Sequence, residues 1–333
     1  MALRRLPPAL LTLVALTCCA CGGVTGTDRP EADATLLLDF APNGVHAGIY
    51  LAAARQYDDA EGVRLRIRKP GASTDALRQL RTGRADLAVL DIHDLGLARE
   101  RDVDVVGVMA LVQRPLAAVI ARSGVRTPRD LEGELVGVTG LPSDEAVLES
   151  VVRGARGDPA RIRRTTIGFQ AVRALLGGRV DAATAFWNVE GVALRRRTGG
   201  SRRFTEFRVD DYGAPAYPEL VLCVSRVTLQ DDPDVVRAAI RALQRGYGET
   251  QKDPESAVTA MLEREPGLDR ASLAAQLDAV APAFQAGASS FGTLDRERLE
   301  AWSRWDVEFG ILKRPVDIGE AFDLGLVGAA VNP

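Results

Sequence analysis

The sequence predicts an α/β fold with largely parallel sheets, on three observations. Short apolar runs rich in Val, Leu and Ile recur from residue 35 onward, helical patterns with readable starts separate them, and from Asp232 the pattern becomes nearly continuous amphipathic helix. Strand then helix, repeated, describes a sheet whose crossovers are helices. The chain has 333 residues, 46% of them hydrophobic and 26% charged, which fits two domains or one large one with ample core.

In order, the strand candidates are 35–40, 63–69, 85–91, 103–112, 116–121, 135–138, 163–167 and 182–186. Most are about seven residues long or shorter, the length of strands. Helices start between them at points such as Thr127-Pro128, where threonine can cap and proline suits the first helical position. Past Asp232, the segments PDVVRAAIRALQRGYGETQK, ESAVTAMLERE, SLAAQLDAVAPAF and LDRERLEAWSRWDVEFG carry apolar stripes that need a surface. The economical arrangement packs them back on the first domain.

The N-terminus, MALRRLPPALLTLVALTCCACGG, reads as an export signal: two arginines, an apolar stretch at 10–16, then small residues and cysteines. That stretch is too short for the roughly 20 residues of a membrane-spanning helix. Its end, Ala20-Cys21-Gly22-Gly23, resembles a bacterial lipobox, in which the cysteine is lipidated and becomes the first residue. The departure is Cys18 where that pattern favours leucine, so Cys19, with Leu16 three residues before it, stays open, as does a plain cleaved signal. The layout is then a signal at 1–20 and a tether at 21–34. With Cys21 as anchor, Cys223 is left alone in the mature chain, without a disulfide partner and in an apolar run where a buried small residue is expected.

Removing the signal takes away two arginines, leaving 40 basic against 45 acidic side chains, a balance that argues against nucleic acid. The basic stretch RRRTGGSRR at 195–203 reads as a solvated helix end in preference to a docking patch.

In open α/β sheets, ligands bind outside the carboxyl ends of strands, and four junctions carry polar or aromatic residues there. The first runs from Phe40 to His46, where Asn43-Gly44 turns the chain and His46 either faces the cleft or caps and packs under the helix. The second is Asp91-Ile92-His93-Asp94, which sets the chain's only other histidine at an equivalent place. The third, VTGLPSDE at 138–145, is a glycine turn whose amides and Ser143 suit a phosphate or sulfonate, although Asp144 and Glu145 would repel one. The fourth is AFWNVEG at 185–191, where Trp187 offers a face for a ring and Asn188 and Glu190 offer polar partners. Together they make His46 a cleft residue whose role is recognition. The chain contains no HExxH, GxxxxGK[ST] or GxSxG pattern and no paired CxxC in its mature part, so no catalytic residue, metal or cofactor is assigned.

The segments LDFAPNGVHAGIY, PGASTDALRQLRTGRADLAV, DLEGELVGVTGLPSDEAV, GRVDAATAFWNVEG and YPELVL, in this order over about 35–252, resemble the substrate-binding lipoproteins of ABC importers. The subgroup they resemble takes up pyrimidine precursors of thiamine, within the nitrate, taurine and sulfonate binding family. The resemblance implies a type II periplasmic-binding fold, two α/β lobes joined by two crossing segments near 113–122 and 213–221. One lobe would be 35–115 plus 215–333 and the other 116–214. It further implies pyrimidine contacts at Asn43, His46, Ser143, Trp187 and Glu190, with Tyr217 and Glu219 at the second crossing. Fungal relatives form the thiamine pyrimidine from a histidine and pyridoxal phosphate. Their cysteine-rich motif is absent here, and the three lysines, Lys69, Lys252 and Lys313, fall at no predicted junction.

The expectation is therefore a monomeric, exported, lipid-anchored protein that captures a small heterocycle for an ABC permease and its ATPase. A flavin or sulfonate ligand, a pyrimidine-forming enzyme on the same fold, and a ligand sensor are the alternatives.

Overall fold

The computed structural model describes residues 32–71, 75–199 and 203–331. The signal, both anchor candidates Cys19 and Cys21, and most of the tether lie outside the described residues. Ten strands form: β1 (Ala32–Leu37), β2 (Val63–Arg68), β3 (Leu87–Asp91), β4 (Val105–Ala110), β5 (Ala117–Arg122), β6 (Leu135–Val138), β7 (Arg163–Thr166), β8 (Ala182–Phe186), β9 (Phe204–Arg208) and β10 (Leu220–Ser225). They make two five-stranded sheets, ordered β2-β1-β3-β10-β4 and β7-β6-β8-β5-β9. This is the type II periplasmic-binding architecture of two α/β lobes.

Each sheet is mixed. β1 runs parallel to β2 and β3, whereas β10 is antiparallel to β3 and β4. In the second sheet, β6 is parallel to β7 and β8, and β5 is antiparallel to β8 and β9. The reversed strand in each case is the first one the chain makes after crossing from the other sheet. The links are residues 111–116 and 209–219, so the expected crossings ran too far: residues 117–122 form β5 and 220–221 open β10. Hydrogen bonding explains this, since the chain enters the ladder as soon as a partner strand is in reach.

Burial accounts for the strand sequences. β3, β4 and β10 are covered on both faces and read as unbroken apolar runs, while β2, VRLRIR, is an edge strand that buries Val63 and Leu65 and gives its arginines to water. Cys223 is buried in β10, and burial pushes its thiol up from its ordinary range.

The long helix Pro233–Lys252 lies across helix Ala47–Ala54 at very close range. A Cβ on Gly48 would stand 2.4 Å from the Tyr247 ring, and one on Gly246 would stand 2.2 Å from the Gly48 carbonyl oxygen. Glycine at both positions lets the backbones meet, and the Tyr247 hydroxyl then donates to the Val45 carbonyl at 2.8 Å. The first three arginines of the basic stretch end helix Val192–Thr198, with Arg195 paired to Glu206 and Arg196 reaching Asp269 at 3.3 Å. Among the described residues, no helix is long and apolar enough to cross a membrane.

The links are fastened to each other. Arg114 pairs with Asp210 at 2.6 Å, and Glu219 Oε2 accepts the Leu116 N–H at 3.0 Å. The Trp187 indole N–H donates to the Pro115 carbonyl at 3.0 Å. Side chains from each link and from the second lobe thus pin the other link in place.

Candidate functional site

A cavity opens between the carboxyl ends of the two sheets. From the first lobe and the second link come Asp91, His93 and Glu219; from the second lobe come Ser143, Thr184, Phe186 and Glu190, with Phe169 at its edge. The cavity encloses about 60 Å³ as traced by the centre of a water molecule.

Local structure sets each wall residue. Asp91 caps helix Ile92–Glu100 by accepting the His93 N–H at 2.8 Å, which leaves its other oxygen free of that bond. After β8 the chain makes one π-helical turn, Trp187–Gly191, and Glu190 Oε2 reaches back to accept the Phe186 N–H at 3.1 Å. Such π-turns are frequent at functional sites. Thr184 Oγ1, buried in the wall, has no hydrogen-bond partner among the described residues.

The electrostatics centre on His93. Its Nδ1 lies 2.8 Å from Asp306 Oδ1, a residue of helix Arg296–Glu308, and its Nε2 lies 3.3 Å from the Tyr217 hydroxyl. Burial works against a charge there, but Asp306 and Asp91 outweigh it and raise the imidazole to about 10. Burial drives the carboxyls of Asp91, Glu219 and Glu190 up from the usual carboxylate range. Asp91, His93 and Glu219 each bring a donor atom within 4.8 Å of the others, which makes them the residues that could hold a metal ion. A divalent ion at that set would compete with protons for the imidazole and the carboxyls. No lysine or arginine stands among the described residues of the wall. The arrangement suits a ligand that brings N–H donors to carboxyl oxygens.

The structure gathers Asp91, His93, Ser143, Glu190 and Glu219 in one wall. Phe40 lies at a neighbouring opening, its ring 5.6 Å from that of Phe169, which borders both spaces. Asn43 and His46 are not brought to the cavity. His46 is fully buried; its Nδ1 accepts the Asn43 N–H at 3.2 Å and its Nε2 donates to Asp39 at 2.8 Å. It closes a capping turn, the alternative left open at the first junction. Trp187 is also outside the wall: it is 2% exposed, its N–H is used on Pro115, and the Arg208 guanidinium lies 4.1 Å over its ring. Asn188 is buried with an unpartnered Oδ1, and Tyr217 stands behind His93. Sequence reasoning missed Phe169, Thr184 and Asp306. Phe169 sits in an exposed GF pair that carries no periodic signal, and Asp306 lies 213 residues from the histidine it holds.

The family described as NMT1/THI5 like matches residues 43–257. The formylaminopyrimidine-binding protein of Halalkalibacterium halodurans is 30% identical over 77% of this chain and 78% of its own length. The 4-amino-5-hydroxymethyl-2-methylpyrimidine phosphate synthase of Legionella pneumophila is 25% identical over 70% of this chain and 74% of its own. Among solved structures, the periplasmic aliphatic sulphonate binding protein SsuA of Escherichia coli superposes with a TM-score of 0.70 at 17% identity, over 88% of this chain and 92% of that one. At that identity the likeness is one of fold.

Proposed function

This chain belongs to the NMT1/THI5-like family, and on that premise we propose that it captures a single-ring aminopyrimidine, a thiamine pyrimidine precursor, for an ABC importer. The observation that carries the reading is the wall: carboxyl groups from both sides of the cavity, with no lysine or arginine among its described residues. An aminopyrimidine presents N–H donors and ring acceptors in one plane, and such a wall can meet both. A sulfonate or nitrate would meet carboxylates.

The synthase reading lacks support in the same place. Lys69 pairs with Glu265 at 2.7 Å beside the neighbouring opening, and Lys252 lies 3.8 Å from Glu249 on an exposed helix end.

Binding would draw the lobes, 35–115 with 215–333 against 116–214, toward a closed state that the permease and its ATPase recognise, because contacts from both lobes are complete only when closed. The protein would act outside the cytoplasmic membrane, as a monomer held by a lipid at Cys21. Calorimetry with formylaminopyrimidine and with 4-amino-5-hydroxymethyl-2-methylpyrimidine tests the reading. Saturable binding of either supports it; heat from neither, with riboflavin or taurine binding instead, overturns it.

A further inference from the structure

The turn between β6 and helix Pro142–Gly154 has the make-up of an anion cradle, and it is already filled. The N–H groups of Gly140 and Leu141 donate to Asp144 Oδ2 at 2.9 and 3.0 Å, and the Thr139 hydroxyl donates to the same oxygen. Gly140, at φ +100°, allows the chain to aim both amides inward. Three donors converging on one point at a helix N-terminus are what a phosphate or sulfonate oxygen is held by elsewhere. Thr139, Leu141, Ser143 and Asp144 all line the cavity, so the filled cradle is part of the ligand's wall. Glu145 is turned aside by Arg164 at 2.7 Å.

We propose that Asp144 is the cavity's selectivity filter against anionic ligands, a built-in carboxylate that occupies the donors a phosphoryl or sulfonyl group would need. The inference rests on the aminopyrimidine reading only for the ring; the cradle adds its own refusal of anions to that of the other wall carboxyls. Its consequence is that the protein takes an aminopyrimidine alcohol or amide and rejects the phosphate ester of the same ring. A phosphate on the imported ring must then be added by a kinase-type reaction after uptake.

The test compares the intact chain with Asp144→Asn, Asp144→Ala and Asp144→Ser by calorimetry, using 4-amino-5-hydroxymethyl-2-methylpyrimidine, its monophosphate and inorganic phosphate. In the intact chain the ester is expected to bind about 100-fold or more weakly than the alcohol, the order expected for like charges a few ångströms apart. The ester-to-alcohol ratio should rise by at least about tenfold in Asp144→Ala and Asp144→Ser. Affinity for inorganic phosphate should rise in the order intact chain, Asp144→Asn, Asp144→Ala, since asparagine removes the charge and keeps the cradle filled. Asp144→Asn retains an acceptor for the turn and guards against loss of the helix start. An unchanged ratio in folded Ala and Ser variants, or tight ester binding by the intact chain, overturns the proposal. If no pyrimidine binds, the ligand reading fails, and the phosphate series alone decides on Asp144: a rise upholds the filter and a flat series removes it.

Discussion

Phe169 gives the cleanest separation of binding from folding. It is 49% exposed, contributes to the cavity edge, and touches the other lobe through Phe40. A phenylalanine offers roughly 200 Å² of surface, so about 100 Å² of this ring is in water; a ligand covering half to all of it gains about 1.2–2.5 kcal/mol at ~25 cal/mol per Å². Phe169→Ala should therefore weaken aminopyrimidine binding by roughly 8- to 70-fold. The same substitution should cost little stability, within about 1 kcal/mol, because the ring is half in solvent and its one aromatic contact is worth about that much. Calorimetric titration measures the first quantity and urea unfolding the second, with Phe169→Leu expected to fall between. Unchanged affinity in a fully folded Phe169→Ala would remove the ring from the site, and a stability loss of about 3 kcal/mol would make it a packing residue.

Two further outcomes follow from buried groups. Trp187→Ala should lower unfolding free energy by about 3–5 kcal/mol, because it empties a filled position and leaves the Pro115 carbonyl without its donor; a loss under about 1 kcal/mol in urea titration would show that the indole does not pin the link. Asp58 is buried and accepts the Leu65 N–H at 2.8 Å, and burial raises its carboxyl above the ordinary value despite that bond. A raised folded value means stability that is fully present in acid, below the unfolded value, and is lost as pH rises through the folded one. Asp58→Asn keeps an acceptor without the charge, so its Tm should exceed that of the intact chain at neutral pH and converge with it in acid. A gap that does not change with pH would refute the assignment.

The two histidines show how far the sequence reaches. Both were placed past strand ends, and both are there, yet only His93 faces the cavity. What separates them is a partner out of local view: His46 finds acceptor and donor within seven residues, at Asn43 and Asp39, whereas His93 is held by Asp306 from the far end of the chain. Trp187 misleads for a related reason, since a tryptophan beside a π-turn looks like a platform until Arg208 and Pro115 are seen to occupy it. Strands β3, β4, β5 and β8 were legible because burial makes them apolar, whereas β7, RRTT, buries none of its residues. β9, FTEFR, lies at a sheet edge with mixed burial, and its pattern is too weak to stand out beside the arginine-rich helix end.

Glu219 has two employers. One oxygen holds the Leu116 N–H and so belongs to the joint between the lobes; the residue as a whole belongs to the wall that a ligand would touch. On the proposed reading, a guest that recruits this carboxylate would pull, through a single rigid group, on the link between the halves. Occupancy and posture would then be mechanically geared, without any relay of intervening side chains.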